Sequence, residues 1–355
     1  MQSANGLACV IAAGGTGGHV LPSLAIAESL SARGVRVTFA GSPDRVEAQL
    51  VPEAGYEFDA FRVAGFPREA SLALLRSLAL AGRAPFECRE ILERRRPSVV
   101  LGGGGYVAGP MVLAAWTRKI PAALTEADSH LGLANRLAAP FARRVFLSFP
   151  IDGRALPKFR VTGRPIHGNS RPTSRDEGRR RFELPEDGPV LLVFGGSQGA
   201  RSLNELVVEQ FGASGPAVLH LAGERDYESL RGQVSRSDYR LVPFTHDFGA
   251  ALGASDLVLC RAGGSVYELA AAGKPAVLVP YPHATADHQA KNASYFEQAG
   301  AAVVVPDAEL ARVPGLVREL LADPARLAAM SERMLAAARP SAADEIAEEL
   351  IALAG

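Results

Sequence analysis

The chain has only three cysteines, Cys9, Cys88 and Cys260, and no two stand at the spacing of a zinc site or a disulfide framework. Cysteine used so sparingly suits a reducing cytosol. No apolar run reaches the roughly 18 residues of a membrane-spanning helix, so any membrane contact is expected to be peripheral. The polar residues 1–6 lead directly into an apolar, strand-like run, without the basic segment and apolar core of a cleaved export signal. An Asp-x-Asp pair, the usual metal clamp for a sugar diphosphate, is absent, as are the Lys-Ser/Thr of a Walker loop and any strong basic-aromatic patch for nucleic acid. His283, Asp287 and His288 look like part of a metal cluster but form no complete ligand set, so neither a metal nor another cofactor is expected. Net charge is also lacking: 38 Lys and Arg balance 38 Asp and Glu.

The composition, 48% hydrophobic and 21% charged, is that of a globular chain, and 355 residues is more than one hydrophobic core usually supports. Two domains follow. The charge is unevenly divided: residues 1–162 hold 19 Lys and Arg against 13 Asp and Glu, a surplus that suits a phospholipid surface or a pyrophosphate, or is a solvated basic face. Short apolar runs at residues 7–12, 35–40, 99–101, 122–124 and 145–147 alternate with helix-length amphipathic stretches, the pattern of a parallel α/β sheet. A turn-rich, charged connector begins near Gly163, and the alternation then restarts at residues 190–194, 217–221, 257–260, 276–279 and 302–305. The expected division is 1–163, 164–339, and a final helix over 340–355 that crosses back onto the first domain. Two doubly wound sheets facing one another would gather the carboxyl ends of their strands around a cleft.

Each half opens with a strand, a glycine loop and a helix. Gly14-Gly-Thr-Gly-Gly-His19 offers a sharp turn and a helix start at which backbone N–H groups attract an anion, although such a loop also serves strand-helix packing. His19 there is a candidate general base or hydrogen-bond donor, or simply a satisfied cap. Gly195-Gly-Ser-Gln-Gly-Ala200 repeats the pattern. In Cys260-Arg-Ala-Gly-Gly-Ser-Val-Tyr-Glu268 the carboxylate falls one turn into a helix, placed to accept from paired ribose hydroxyls or to cap that helix. Asp287, His288, Gln289 and Asn292 enter another helix from a polar loop and could read sugar hydroxyls.

These motifs, with Gly103-Gly-Gly-Tyr-Val-Ala-Gly-Pro110 between them, resemble in order and separation those of the MurG family of inverting glycosyltransferases over nearly the whole chain. The resemblance implies the α/β GT-B fold of two Rossmann-like domains. It also implies transfer of N-acetylglucosamine (GlcNAc) from UDP-GlcNAc to the 4-hydroxyl of MurNAc in undecaprenyl-pyrophosphoryl-MurNAc-pentapeptide, at the cytoplasmic face of the cell membrane. It assigns the donor to Ser197, Gln198, Phe244, Arg261, Gly263, Gly264, Glu268, His288, Gln289 and Asn292. The acceptor falls to Thr16, Gly17, Gly18, Tyr106, Glu126 and Arg164. Two departures bear on the chemistry. Glu126-Ala-Asp128 stands where the family has Glu-Gln-Asn, which makes Asp128 a rival to His19 as catalytic base, and Gly163-Arg-Pro-Ile-His167 stands where it has Gly-Asn-Pro-Val-Arg.

The leucines of residues 66–86, interspersed with arginines, could lie in an anionic bilayer interface or be buried against their own sheet, and Arg94-Arg-Arg96 could meet headgroups or end a helix. A glycolipid synthase, a UDP-GlcNAc epimerase and a non-catalytic nucleotide-sugar-binding module are the competing readings.

Overall fold

The computed structural model describes residues 6–63, 72–196, 199–284 and 287–355, with only the backbone described for 72–81. The chain divides into two units, one of residues Met1–His167 with Pro340–Gly355, the other of Gly168–Arg339. Residues 164–167, assigned from sequence to the second domain, thus belong to the first unit. Their bonds explain this: Arg164 donates to the Gly18 carbonyl and His167 faces Glu28 at 3.1 Å, both inside that unit.

In the first unit β1 (Ala8–Ala13), β2 (Arg36–Gly41), β3 (Glu57–Ala60), β4 (Val99–Gly104), β5 (Ala122–Glu126), β6 (Arg144–Leu147) and β7 (Phe159–Val161) form one parallel sheet in the order β3-β2-β1-β4-β5-β6-β7. Helices α1 (Gly17–Ala32), α2 (Glu47–Glu53), α3 (Leu72–Arg95), α4 (Ala108–Thr117) and α5 (Leu133–Ala138) connect and cover the strands. Every residue of β1 and β4 is buried, which is why they read as unbroken apolar runs rather than as alternations.

The second unit continues with α6 (Arg175–Arg181) and then β8 (Val190–Phe194), α7 (Arg201–Phe211), β9 (Ala217–Leu221), α8 (Glu224–Leu230), β10 (Tyr239–Val242), α9 (Phe248–Ala254) and β11 (Leu257–Cys260). After these come α10 (Val266–Ala271), β12 (Ala276–Leu278), α11 (His288–Gln298), β13 (Ala302–Val304), α12 (Val313–Leu321) and α13 (Pro324–Ala337). Its parallel sheet runs β10-β9-β8-β11-β12-β13, the same winding as the first. In both sheets the strand order reverses beside the first strand, between β1 and β4 and between β8 and β11. Neighbouring connections there leave toward opposite faces and open a crevice at the strands' carboxyl ends.

The last helix, α14 (Ala342–Ala354), is part of the first unit. Its Ile346, Ala347 and Leu350 share one core with Leu24, Ile26 and Leu30 of α1. Polar bonds fix its register: Ser29 Oγ and Arg33 reach Asp344 at 2.6 and 2.9 Å, and Arg144 reaches Glu349 at 3.3 Å.

Candidate active site

A cavity of about 200 Å³ occupies the crevice of the first unit, lined by Gly18, His19, Tyr106, Glu126, Asp128 and Arg164 among others. Its floor is glycine because backbones meet there. Gly105 has φ +74°, and a Cβ on it would stand 2.1 Å from the Gly14 carbonyl oxygen. A Cβ on Gly104 would meet the His19 ring at 2.4 Å. Beneath the loop the fully buried carboxylate of Glu47 accepts from the backbone N–H of Gly15 at 2.9 Å and of Ser42 at 3.0 Å, tying the β1 and β2 loops together.

His19, on the first turn of α1, has Nδ1 3.3 Å from the Thr16 hydroxyl. Burial holds its pKa below the ordinary value near 6.5. The positive charge of Arg164 pushes the same way, while Asp128 and a hydrogen bond to the Gly14 backbone oppose. A neutral imidazole results, able to take a proton near pH 7. Arg164 is 8% exposed and donates to the Gly18 carbonyl at 2.5 Å. It therefore faces the cavity, whereas His167, at the family's arginine position, turns to Glu28 on α1.

Glu126, which the resemblance assigns to the acceptor, also holds the loop that follows it. One oxygen accepts from Gly132 N–H at 2.9 Å and Asn135 Nδ2 at 2.8 Å, the other from Asp128 N–H at 3.2 Å. Burial raises its pKa against those hydrogen bonds. Glu126 thus lines the cavity and shapes the 126–132 loop that carries Asp128.

A second cavity, of about 550 Å³, lies wholly in the second unit beside the residues that join β8 to α7. Of the sequence-assigned donor residues it brings together Arg261 and Gln289, and it adds Arg201, Ser202, Arg225 and Asp307, which sequence reasoning missed. Arg261 is 8% exposed, and its fork is fully engaged within the protein: with Asp307 at 2.6 Å, Ser202 Oγ at 2.8 Å, and the Val279 and Pro280 carbonyls at 3.2 Å each. Only its buried Nε lacks a partner. Gln289 Oε1 accepts from Tyr281 N–H at 2.9 Å.

The other donor residues that the structure describes are not among those lining this cavity. Glu268, in the first turn of α10, accepts from the Ser170 hydroxyl. Phe244 is half exposed, with His246 edge-on at 5.1 Å. Asn292 is fully buried and donates to the Ala262 carbonyl at 3.2 Å, so it sits behind the Gly263-Gly264 turn. His288 opens α11. Ser197 and Gln198 lie outside the described residues.

In the basic run at the end of α3, two arginines have local partners. Arg94 and Arg95 each reach Asp59 at 2.7 Å, and Arg95 also pairs with Glu57, so both are engaged by carboxylates of β3. Burial pushes the Asp59 carboxyl up, yet hydrogen bonds from Arg95 and Arg94 outweigh it and leave the carboxyl below its usual range. Of the 66–86 segment, residues 66–71 and the side chains up to 81 lie outside the described residues, and Ala84, Cys88, Ile91 and Leu92 of the same helix are core.

Two doubly wound sheets of identical winding, each with a crevice beside a glycine loop, are the architecture of the GT-B class. Residues 9–147 match the Glycosyltransferase family 28 N-terminal domain and residues 190–346 its C-terminal domain. An Acidithiobacillus ferrooxidans protein named UDP-N-acetylglucosamine–N-acetylmuramyl-(pentapeptide) pyrophosphoryl-undecaprenol N-acetylglucosamine transferase is 43% identical over 98% of each chain. A Halothermothrix orenii protein of the same name is 39% identical over 91% of this chain and 92% of its own. The crystal structure of Acinetobacter baumannii MurG superposes with a TM-score of 0.74 at 27% identity, covering 97% of this chain and 99% of that one. The chain belongs to glycosyltransferase family 28, among its MurG members.

Proposed function

We propose that the protein transfers GlcNAc from UDP-GlcNAc to the 4-hydroxyl of MurNAc in undecaprenyl-pyrophosphoryl-MurNAc-pentapeptide, with inversion at the anomeric carbon and release of UDP. The observation that carries this reading is the neutral His19 held in a cavity whose walls are the family's acceptor motifs, in a chain that its named relatives match almost end to end. The first unit takes the acceptor: the N-terminus of α1 with Thr16, Gly17 and Gly18 meets its pyrophosphate, and Tyr106 and Arg164 flank it. His19 acts as the base, removing the proton of the attacking hydroxyl. Asp128, on the loop shaped by Glu126, supplies the negative charge that counters Arg164 at the imidazole and stabilises the imidazolium after transfer.

The second unit takes the donor. Gln289 and its neighbours meet the sugar, Glu268 the ribose hydroxyls, Phe244 the uracil, and the start of α7 the diphosphate. Lacking an Asp-x-Asp clamp, the protein would stabilise the leaving diphosphate with helix N–H groups and guanidinium ions.

Membrane attachment is peripheral in this reading, since no helix among the described residues is long and apolar enough to cross a bilayer. Phe86, Trp116, Leu133 and Leu137 are exposed apolar side chains on the neighbouring helices α3, α4 and α5, with Arg118, Lys119, Arg136 and Arg143 nearby in sequence. That combination suits an anionic lipid interface.

The test is UDP release from UDP-GlcNAc with and without a short-chain lipid-linked MurNAc-pentapeptide. Release that requires acceptor, with label passing to lipid, is expected. UDP formed from the donor alone would overturn the transferase reading.

A further inference from the structure

The second cavity contains a cation that no assigned donor residue accounts for. Arg225, near the start of α8, lines the cavity with its guanidinium gripped along one edge. Its Nε donates to Oδ1 of Asp226 at 2.7 Å and its terminal nitrogen to Oδ2 at 2.8 Å, a bidentate pair between sequence neighbours. Asp226 is 4% exposed and receives a third hydrogen bond, from Asn204 Nδ2 at 3.1 Å.

The support extends into the core. Asn204 Nδ2 also donates to the Ala222 carbonyl at 2.8 Å, so its Oδ1 is the acceptor for His220 Nε2 at 2.9 Å, and His220 Nδ1 accepts from the Tyr239 hydroxyl at 2.8 Å. Asn204 and His220 are both buried, and they link α7, β9 and β10. A half-exposed surface arginine with this backing is immobilised, and its other edge is left with donors to offer.

The ligand that such an edge fits is a polyanion. Arg201, at the first position of α7, lies 3.8 Å from Asp226 and lines the same cavity. Arg261 lines the cavity as well, paired there with Asp307 at 2.6 Å. Three guanidinium groups thus face two carboxylates, Asp226 and Asp307, leaving a net positive cavity at the N-terminal end of an 11-residue helix.

We propose that Arg225 binds the diphosphate of the nucleotide sugar and that Asp226 is its positioning residue. This rests on the donor assignment of the second unit. Arg225 would bind the diphosphate in the bound donor and hold it as the anomeric carbon–oxygen bond breaks and negative charge grows on the leaving group.

The test titrates UDP, UMP and uridine calorimetrically into the full-length wild type, Arg225→Gln, Arg225→Lys and Asp226→Asn. For Arg225→Gln the expected result is UDP binding weakened about tenfold with uridine changed less than twofold, the scale of losing a charge-assisted hydrogen bond. Arg225→Lys should recover part of the loss, because it restores charge without the fork. Asp226→Asn should lower UDP affinity several-fold and again spare uridine, which a merely structural defect would not do. If Arg225→Gln keeps the wild-type ratio of UDP to uridine affinity, or weakens both alike, the inference fails while the donor assignment stands. If the wild type does not prefer UDP to uridine, the donor assignment fails and this inference with it.

Discussion

At the scale of single residues, the first cavity makes a pH prediction with a definite sign. The pKa of His19 is lowered by burial and by Arg164, and Asp128 partly restores it. Because the neutral imidazole is the active form, kcat/KM should rise through that lowered pKa and be flat above it, placing the acid limb below pH 6.5. Asp128→Asn removes the restoring charge, so the limb should move to lower pH with turnover reduced but not abolished. Arg164→Gln should move it to higher pH. A complete loss of turnover in Asp128→Asn, with donor still bound, would instead make Asp128 the base. Backbone crowding gives a second prediction. Gly105→Ala must hold a side chain at φ +74° with its Cβ 2.1 Å from the Gly14 carbonyl oxygen, so it should cost about 2 kcal/mol or more in a denaturation experiment and abolish transfer. Glu126→Gln turns an amide N–H toward backbone donors, and a stability loss of roughly 1–3 kcal/mol is expected with the 126–132 loop displaced.

Among the elements, legibility in the sequence follows burial. The strands recognised from apolar runs are β1, β2, β4, β5, β6, β8, β9, β11, β12 and β13, and their bounds differ from the expected ones by no more than a few residues. The three overlooked, β3, β7 and β10, all lie at a sheet edge. Edge strands are half solvated, so Glu57-Phe-Asp-Ala60, Phe159-Arg-Val161 and Tyr239-Arg-Leu-Val242 carry charges that break the apolar run. The site shows the same limit. Glycine loops and the cavity-lining His19, Tyr106 and Arg164 stand out in the sequence. The supporting Glu47, Asn135, Asn204 and Asp226 do not, because each has a partner 9 to 32 residues away that only the fold brings to it. Arg225 followed by Asp226 reads as an ordinary surface ion pair until the cavity beside it is seen. For α14, truncating a buried anchor, Ile346→Ala, should destabilise the first unit by about 2–5 kcal/mol and leave the second unit's melting unchanged.

For the molecule as a whole, the two units have separate cores and separate cavities, and ligand effects should divide between them. UDP should raise the unfolding temperature of the second unit by mass action, a shift that scanning calorimetry at graded UDP would resolve. The second unit also carries an acid sensitivity. His220 is buried neutral, with its pKa pulled down by burial from the ordinary 6.5 to about 3. The unfolded chain binds its proton first, so stability present above pH 6.5 falls as pH drops through that value toward 3, by up to roughly 1.4 kcal/mol per pH unit. His220→Gln, which cannot titrate, should flatten that part of the stability profile.

The return of residues 340–355 to the first unit bears on how the protein is made. Residues 168–339 are contiguous, so the second unit can close as soon as it has left the ribosome. The first unit waits for α14 to cover Leu24, Ile26 and Leu30, and until translation reaches residue 350 its apolar flank has no cover of its own. The half synthesised first is therefore the half completed last, and in the interval its exposed flank is the surface on which a nascent-chain chaperone would act.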